Sequence, residues 1–121
     1  MDPILSRYSF PHLLKSCGNE GNLSNISLLH HHIIKKGIES DLYIESSLVE
    51  SYGKCGCLEA SINIFERMDL RSVVSWGIMI ACYVSYGRNL CAFHLFEKMK
   101  LQGLIPDSIL YVTILKACRY L

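Results

Sequence analysis

The sequence predicts an all-α protein, an α-solenoid of antiparallel helix hairpins. Three observations carry that prediction. First, Phe10, Leu13, Leu14 and Cys17 recur as Tyr111, Ile114, Leu115 and Cys118, each 101 positions later. Second, Gly21, Gly56 and Gly87 fall at intervals of 35 and 31, and Cys17, Tyr52, Tyr83 and Cys118 step by 35, 31 and 35. Third, apolar residues follow helical spacing almost throughout. A period in this range means stacked supersecondary units, each burying its apolar face on its neighbours, and such stacks bind along an extended surface.

The elements follow in order. Phe10, Leu13, Leu14 and Cys17 mark a first helix, ended by Gly18 and the turn at Asn19 to Asn22. Ile26, Leu29 and Ile33 mark the second, which stops near Lys36 with Gly37 as a C-terminal glycine. Leu48, Tyr52 and Cys55 give a third, stopped at Gly56, and Leu58, Ile62 and Phe65 a fourth, through Met68. Met79, Cys82, Tyr83 and Tyr86 form a fifth, stopped at Gly87. Ala92, Leu95, Phe96 and Met99 form a sixth, with Gly103 after it and Pro106 to prevent continuation. Tyr111, Ile114, Leu115 and Cys118 begin a seventh. Short turns between helices of about ten to fourteen residues make antiparallel hairpins.

Composition bounds the function. The chain has 121 residues, half of them hydrophobic, and a net charge of +1. A dedicated duplex-DNA binder is normally clearly basic, so bulk electrostatics cannot carry nucleic-acid binding here. No run of 18 apolar residues exists, so no membrane partner is expected. Met1 to Arg7 has neither an apolar signal core nor an Arg- and Ser-rich presequence, so the protein stays where it is made or is a piece lacking its targeting segment. The six cysteines do not make a zinc site: Cys55-Gly56-Cys57 has the wrong spacing and no second pair. Reduced, buried thiols are expected, with no metal and no cofactor. His30, His31 and His32 point about 100° apart on a helix and cannot converge on one ion; a mixture of packed and solvated rings is expected. Glu45, Glu50, Glu59 and Glu66 read as scattered along solvated faces. No nucleophile–base pair, phosphate-cradling glycine loop or catalytic acid pair is present, which argues against an enzyme.

Aligning on the glycines gives three units and a partial one: Arg7–Asp41 (35 residues), Leu42–Ser72 (31), Val73–Asp107 (35) and Ser108–Leu121. The last supplies a first helix without its partner. It covers the preceding hairpin and leaves an apolar edge, which predicts self-association through that edge.

The third unit, VVSWGIMIACYVSYGRNLCAFHLFEKMKLQGLIPD, resembles a pentatricopeptide repeat of plant organelle RNA-binding proteins. The second resembles the short variant, with Tyr52-Gly53-Lys54-Cys55-Gly56 and Phe65-Glu66-Arg67-Met68. The first resembles the long variant, with Ser9-Phe10-Pro11, Leu14-Lys15-Ser16-Cys17 and His32-Ile33-Ile34-Lys35-Lys36-Gly37. The order long, short, standard, long is that of the subclass often serving organellar RNA editing. The resemblance covers the chain from Arg7 to Leu121. It implies a right-handed superhelix whose first helices line the concave side, where single-stranded RNA runs. It also implies RNA-editing partner proteins and a mitochondrial or chloroplast location.

In this repeat type one unit reads one base with two or three side chains. The resemblance implies that the fifth and last residues face the base edge and the second wedges against the base. The first unit then offers Pro11 and Asp41, with Tyr8 as wedge. The second offers Ser46 and Ser72, with Tyr43. The third offers Gly77 and Asp107, with Val74. The family's productive pairs put Asn, Thr or Ser fifth and Asn or Asp last. Ser46 fits half of that pattern, Ser72 departs from it, and Gly77 lacks a side chain. Lys54, at the end of a first helix, is the leading phosphate contact, followed by Lys15, Lys116 and Arg119 on equivalent helices.

Each residue also has a structural reading. Asp41 and Asp107 can cap the next helix, Ser46 can be a helix N-terminal residue, Lys54 can be a solvated lysine, and Trp76 fits the core better than a stack on a base. The sequence therefore predicts a single-stranded RNA-binding adaptor in organellar RNA processing or C-to-U editing. The alternatives are a protein-interaction scaffold of the tetratricopeptide type and an inactive piece of a longer repeat protein. The 35/31 alternation and the Pro106-Asp107 ending favour RNA; the degenerate reading positions favour the scaffold.

Overall fold

The computed structural model describes residues 7–121; Met1–Ser6, part of the stretch read for targeting signals, lie outside the described residues. Among the described residues there are seven α-helices and no strand: α1 (Ser9–Glu20), α2 (Leu23–Lys35), α3 (Leu42–Lys54), α4 (Leu58–Arg67), α5 (Val73–Ser85), α6 (Asn89–Leu101) and α7 (Ser108–Cys118). The all-α class stands as the sequence predicts. No helix among the described residues is long and apolar enough to cross a membrane.

The chain forms two compact units, one reaching to Leu70 and one from Arg71 to Leu121. In the first, α1 packs on α2 and α3, α2 on α3, and α3 on α4; in the second, α5 packs on α6, and both pack on α7. The first core is Phe10, Leu14, Ile26, Ile33, Ile44, Leu48 and Tyr52, with Cys17, Leu29, Cys55, Cys57 and Ile64 packed against it. The second buries Trp76, Met79, Ile80, Phe96, Met99, Leu110 and Ile114. Trp76 is fully buried, as its core reading requires.

The residues that recur in the sequence are those that close the helices. The carbonyls of Cys17, Tyr52 and Tyr83 each accept the amide five residues on, from Asn22, Cys57 and Arg88, all at 2.9 Å. This is the 6→1 bond of a Schellman cap, which requires a left-handed residue one position earlier. Gly21 occupies that position at φ +69°, with open space where a Cβ would stand, so backbone conformation alone selects glycine there. Gly56 and Gly87 repeat the arrangement.

Gly18 does not end α1. The helix runs through it to Glu20. Gly18 instead faces α3, where a Cβ would come within 3.2 Å of the Ser51 Cα. Several expected core positions are also exposed. Leu13, Leu115 and Cys118 each sit beside a buried residue (Leu14, Ile114, Ala117) and so lie about 100° off the buried stripe. Of the six free thiols, only Cys82 is buried; Cys17, Cys55 and Cys57 are half-buried, and Cys91 and Cys118 are exposed. The expectation of buried thiols therefore needs correcting at five positions.

Candidate functional site

The first helices of the hairpins, α1 and α3 in one unit and α5 and α7 in the other, carry the residues singled out in the sequence. The last-position residues act first as caps. Asp41 Oδ1 accepts the amides of Tyr43 (3.0 Å) and Ile44 (3.2 Å), and Asp107 Oδ1 accepts that of Leu110 (2.8 Å). Ser72 Oγ accepts the amide of Ser75 (3.2 Å) while Ser75 Oγ accepts that of Ser72 (3.4 Å), closing a capping box. Side-chain oxygens at these positions satisfy helix N-termini that would otherwise lack acceptors.

Asp41 is the most committed of the three. Its second oxygen pairs with the Arg7 guanidinium. Burial pushes the Asp41 carboxyl up, but the bonds from Arg7, Ile44 and Tyr43 outweigh it and hold the group below its ordinary value. Asp107 is exposed and caps the start of α7.

The fifth positions differ in access. Ser46, the fifth residue of α3, retains only 7% of its surface, and Asp41, not Ser46, caps that helix. Pro11 is half-buried on α1. Gly77 lies within α5 with no atom within 4 Å of a Cβ built on it. The wedge positions stand in solvent: Tyr8 is 83% exposed, Tyr43 81% and Val74 63%.

Lys54, at the C-terminus of α3, donates from Nζ to Asn19 Oδ1 at 3.1 Å. Asn19 lies 35 residues earlier, at the same level of α1. Lys116 and Arg119 are exposed at the end of α7.

A groove of about 350 Å³ opens between α1 and α3. Tyr8, Pro11, His12 and Lys15 line it from the α1 side, and Ser47, Glu50 and Ser51 from α3. His12, Ser47 and Glu50 were not among the sequence candidates. Glu50 is half-buried and lines the groove; Glu45 is half-buried as well, and burial, then Asp69, raises its pKa. The signal for the groove is the repeat itself, since Lys15 and Glu50 are 35 residues apart and therefore occupy equivalent places on adjacent first helices.

The histidine run behaves as helical geometry requires. His30 is half-buried with Nδ1 2.8 Å from Tyr52 Oη, and His31 is exposed. Burial lowers the His30 pKa and raises that of Tyr52.

Two sequence-family models match: the PPR repeat family over residues 71–119 and the PPR repeat over 46–73. A putative pentatricopeptide repeat-containing protein of Arabidopsis thaliana is 42% identical over 112 residues, 93% of this chain and 16% of that protein. Another from the same plant, designated mitochondrial, is 35% identical over 115 residues, 95% of this chain and 13% of its own length. A third, designated chloroplastic, is 36% identical over 108 residues, 89% of this chain and 16% of its own. The chain thus spans about a sixth or less of the length of these relatives. Its paired helices, its recurring glycine caps and these matches have one reading: the chain belongs to the pentatricopeptide repeat family.

Proposed function

We propose that the chain binds single-stranded RNA along its first helices, as an adaptor without catalytic chemistry of its own. The observation that carries this reading is the exposure of Tyr8 and Tyr43. They stand at the same place in consecutive repeats, at the N-terminal ends of α1 and α3, each with over four-fifths of its surface in solvent. Large aromatic rings held outside a core are the platform on which successive bases stack.

The repeat boundaries belong to the same proposal: Arg7–Asp41, Leu42–Ser72 and Val73–Asp107, with a first helix from Ser108. Val74 extends the wedge series. Lys54 supplies a phosphate contact, with Lys116 and Arg119 as further cations. Work in a mitochondrion or chloroplast, on RNA processing or C-to-U editing with partner proteins, extends the reading. It is supported by relatives designated mitochondrial and chloroplastic.

Binding of end-labelled RNA followed by fluorescence anisotropy tests it. Single-stranded RNA should bind and the equivalent duplex should not. A Tyr8→Ala, Tyr43→Ala double variant should bind at least about tenfold more weakly, since each stacked base is worth ~1–3 kcal/mol. Equal binding of duplex and single strand, indifferent to the variant, would count against the proposal.

A protein-interaction scaffold is the second reading. The observation favouring it is that Asp41, Ser72 and Asp107 spend side-chain oxygens on helix caps.

A further inference from the structure

α6 carries apolar residues on two opposite faces. Ala92, Phe96 and Met99 form its buried stripe, and the helix packs on α5 and α7. At about 100° per residue the opposite side holds Leu90, His94, Glu97 and Leu101, all within about 60° of one another. The four are exposed: Leu90 keeps 55% of its surface and Leu101 87%. A surface helix ordinarily turns polar residues outward, and α4 does so. It is the equivalent helix of the preceding repeat, with Phe65 and Met68 buried where α6 has Phe96 and Met99. At the places of Leu90, His94 and Glu97 it has Glu59, Asn63 and Glu66, all exposed. The repeat itself therefore does not require outward leucines on α6. His94 makes no hydrogen bond or ion pair among the described residues. Glu97 Oε1 meets Lys100 Nζ at 3.1 Å, which leaves Oε2 for another donor.

The four residues are spaced by 4, 3 and 4, the spacing of a coiled-coil seam. The seam is its own complement when reversed. In an antiparallel pair of α6 helices, Leu90 faces Leu101 of the second copy and His94 faces Glu97 of the second copy. The two-fold axis repeats both contacts. A parallel pair would set Glu97 against Glu97 of the second copy, and like charges in contact are unfavourable. We propose that the outward face of α6 is a self-association surface, closed by an antiparallel α6 of a second copy. Leucine layers lie at its two ends and His–Glu contacts at its centre. One pair of helices buries less than the ~1,200 Å² of stable interfaces, so this association is weak, reversible and set by concentration. It uses a face separate from the exposed Tyr111 and Leu115 of α7 and does not depend on RNA binding.

Sedimentation velocity of the full chain over a rising concentration series tests the proposal. Leu90→Glu and Leu101→Lys each place a charge in the leucine layers. Both residues are exposed, and an acid early in a helix or a base late in it suits the helix dipole, so both variants should keep the fold. Each variant alone should raise the dimer dissociation constant at least about tenfold, because the two-fold axis makes every lost leucine contact count twice. An equimolar mixture of the two variants should recover association. In the antiparallel heterodimer the introduced acid meets the introduced base in one layer, and the unchanged leucines meet in the other. A parallel pair offers neither contact. A chain that stays monomeric to its solubility limit overturns the proposal. So does association that ignores both α6 variants, including one that Leu115→Glu alone removes, which would place the contact on α7. A mixture that associates no better than its components also overturns it.

Discussion

Gly18 of α1 lies so close to Ser51 of α3 that a Cβ at Gly18 would stand 3.2 Å from the Ser51 Cα. Ser51 also donates from Oγ to the Leu14 carbonyl at 2.9 Å, across the same contact. The two helices are thus joined backbone to backbone, through one missing side chain and one buried hydroxyl. Gly77, in contrast, sits in a helix with open space around it. The same substitution should therefore have opposite effects at the two sites. Gly77→Ala should stabilise by ~1 kcal/mol, the ordinary helix-propensity gain. Gly18→Ala should lose that gain and destabilise by ~1 kcal/mol or more, because the obstacle is backbone. Urea unfolding of both variants decides this, and stabilisation by Gly18→Ala would contradict the close-contact account.

The open space at Gly77 also offers a functional test. Gly77→Asn introduces the hydrogen-bonding side chain that the family's productive repeats carry at the fifth position. On the RNA-binding reading, one added base contact corresponds to ~1–3 kcal/mol. Selection from a random RNA pool should show a newly constrained position with Gly77→Asn. An unchanged profile would argue that α5 does not face RNA.

His30 makes stability depend on pH. Its folded-state pKa lies below the ordinary value of 6.5 because of burial. The unfolded chain therefore binds more protons in the window just below that value, and stability rises with pH there. The contribution is fully present above about pH 6.5 and is lost as pH falls through the folded-state value. Denaturant midpoints measured from pH 5 to pH 7.5 should rise with pH, and His30→Gln should flatten the rise. A slope unaffected by His30→Gln would show that other groups set it.

The caps separate stability from recognition. Asp41→Ala removes two amide bonds to the start of α3 and the Arg7 pair, and should destabilise by ~1 kcal/mol or more. Asp41→Asn keeps the acceptor and should recover much of that loss. Thermal unfolding followed by circular dichroism reads both, and equal stabilities for the two variants would deny Asp41 its capping role.

The sequence carried the helices and their ends because each is fixed locally. The recurrence of Cys17, Tyr52 and Tyr83 encodes a turn in which the carbonyl at that position closes a cap and glycine follows four residues later. Such bonds span five residues and leave a pattern along the chain. What misled was the side-chain direction one position off the buried stripe. Leu13 and Leu115 have the right polarity for a core but face outward beside Leu14 and Ile114. Gly18 read as a helix stop because glycine usually ends helices, while its use here depends on α3, which no local window contains. The groove shared by Glu50 and Lys15 is hidden for the same reason: the two residues lie a full repeat apart.

Binding of single-stranded RNA by the first-helix face is the central claim. Selection of the purified chain against a randomised single-stranded pool, at low and physiological salt, tests this most directly when run beside a Lys54→Ala, Tyr43→Ala variant. Tyr43 and Lys54 lie at opposite ends of α3, one exposed ring and one ammonium held by Asn19. RNA binding through this face should enrich a short motif that persists at physiological salt and is weakened by the variant. An unenriched pool, or binding that disappears with salt and ignores the variant, would contradict it.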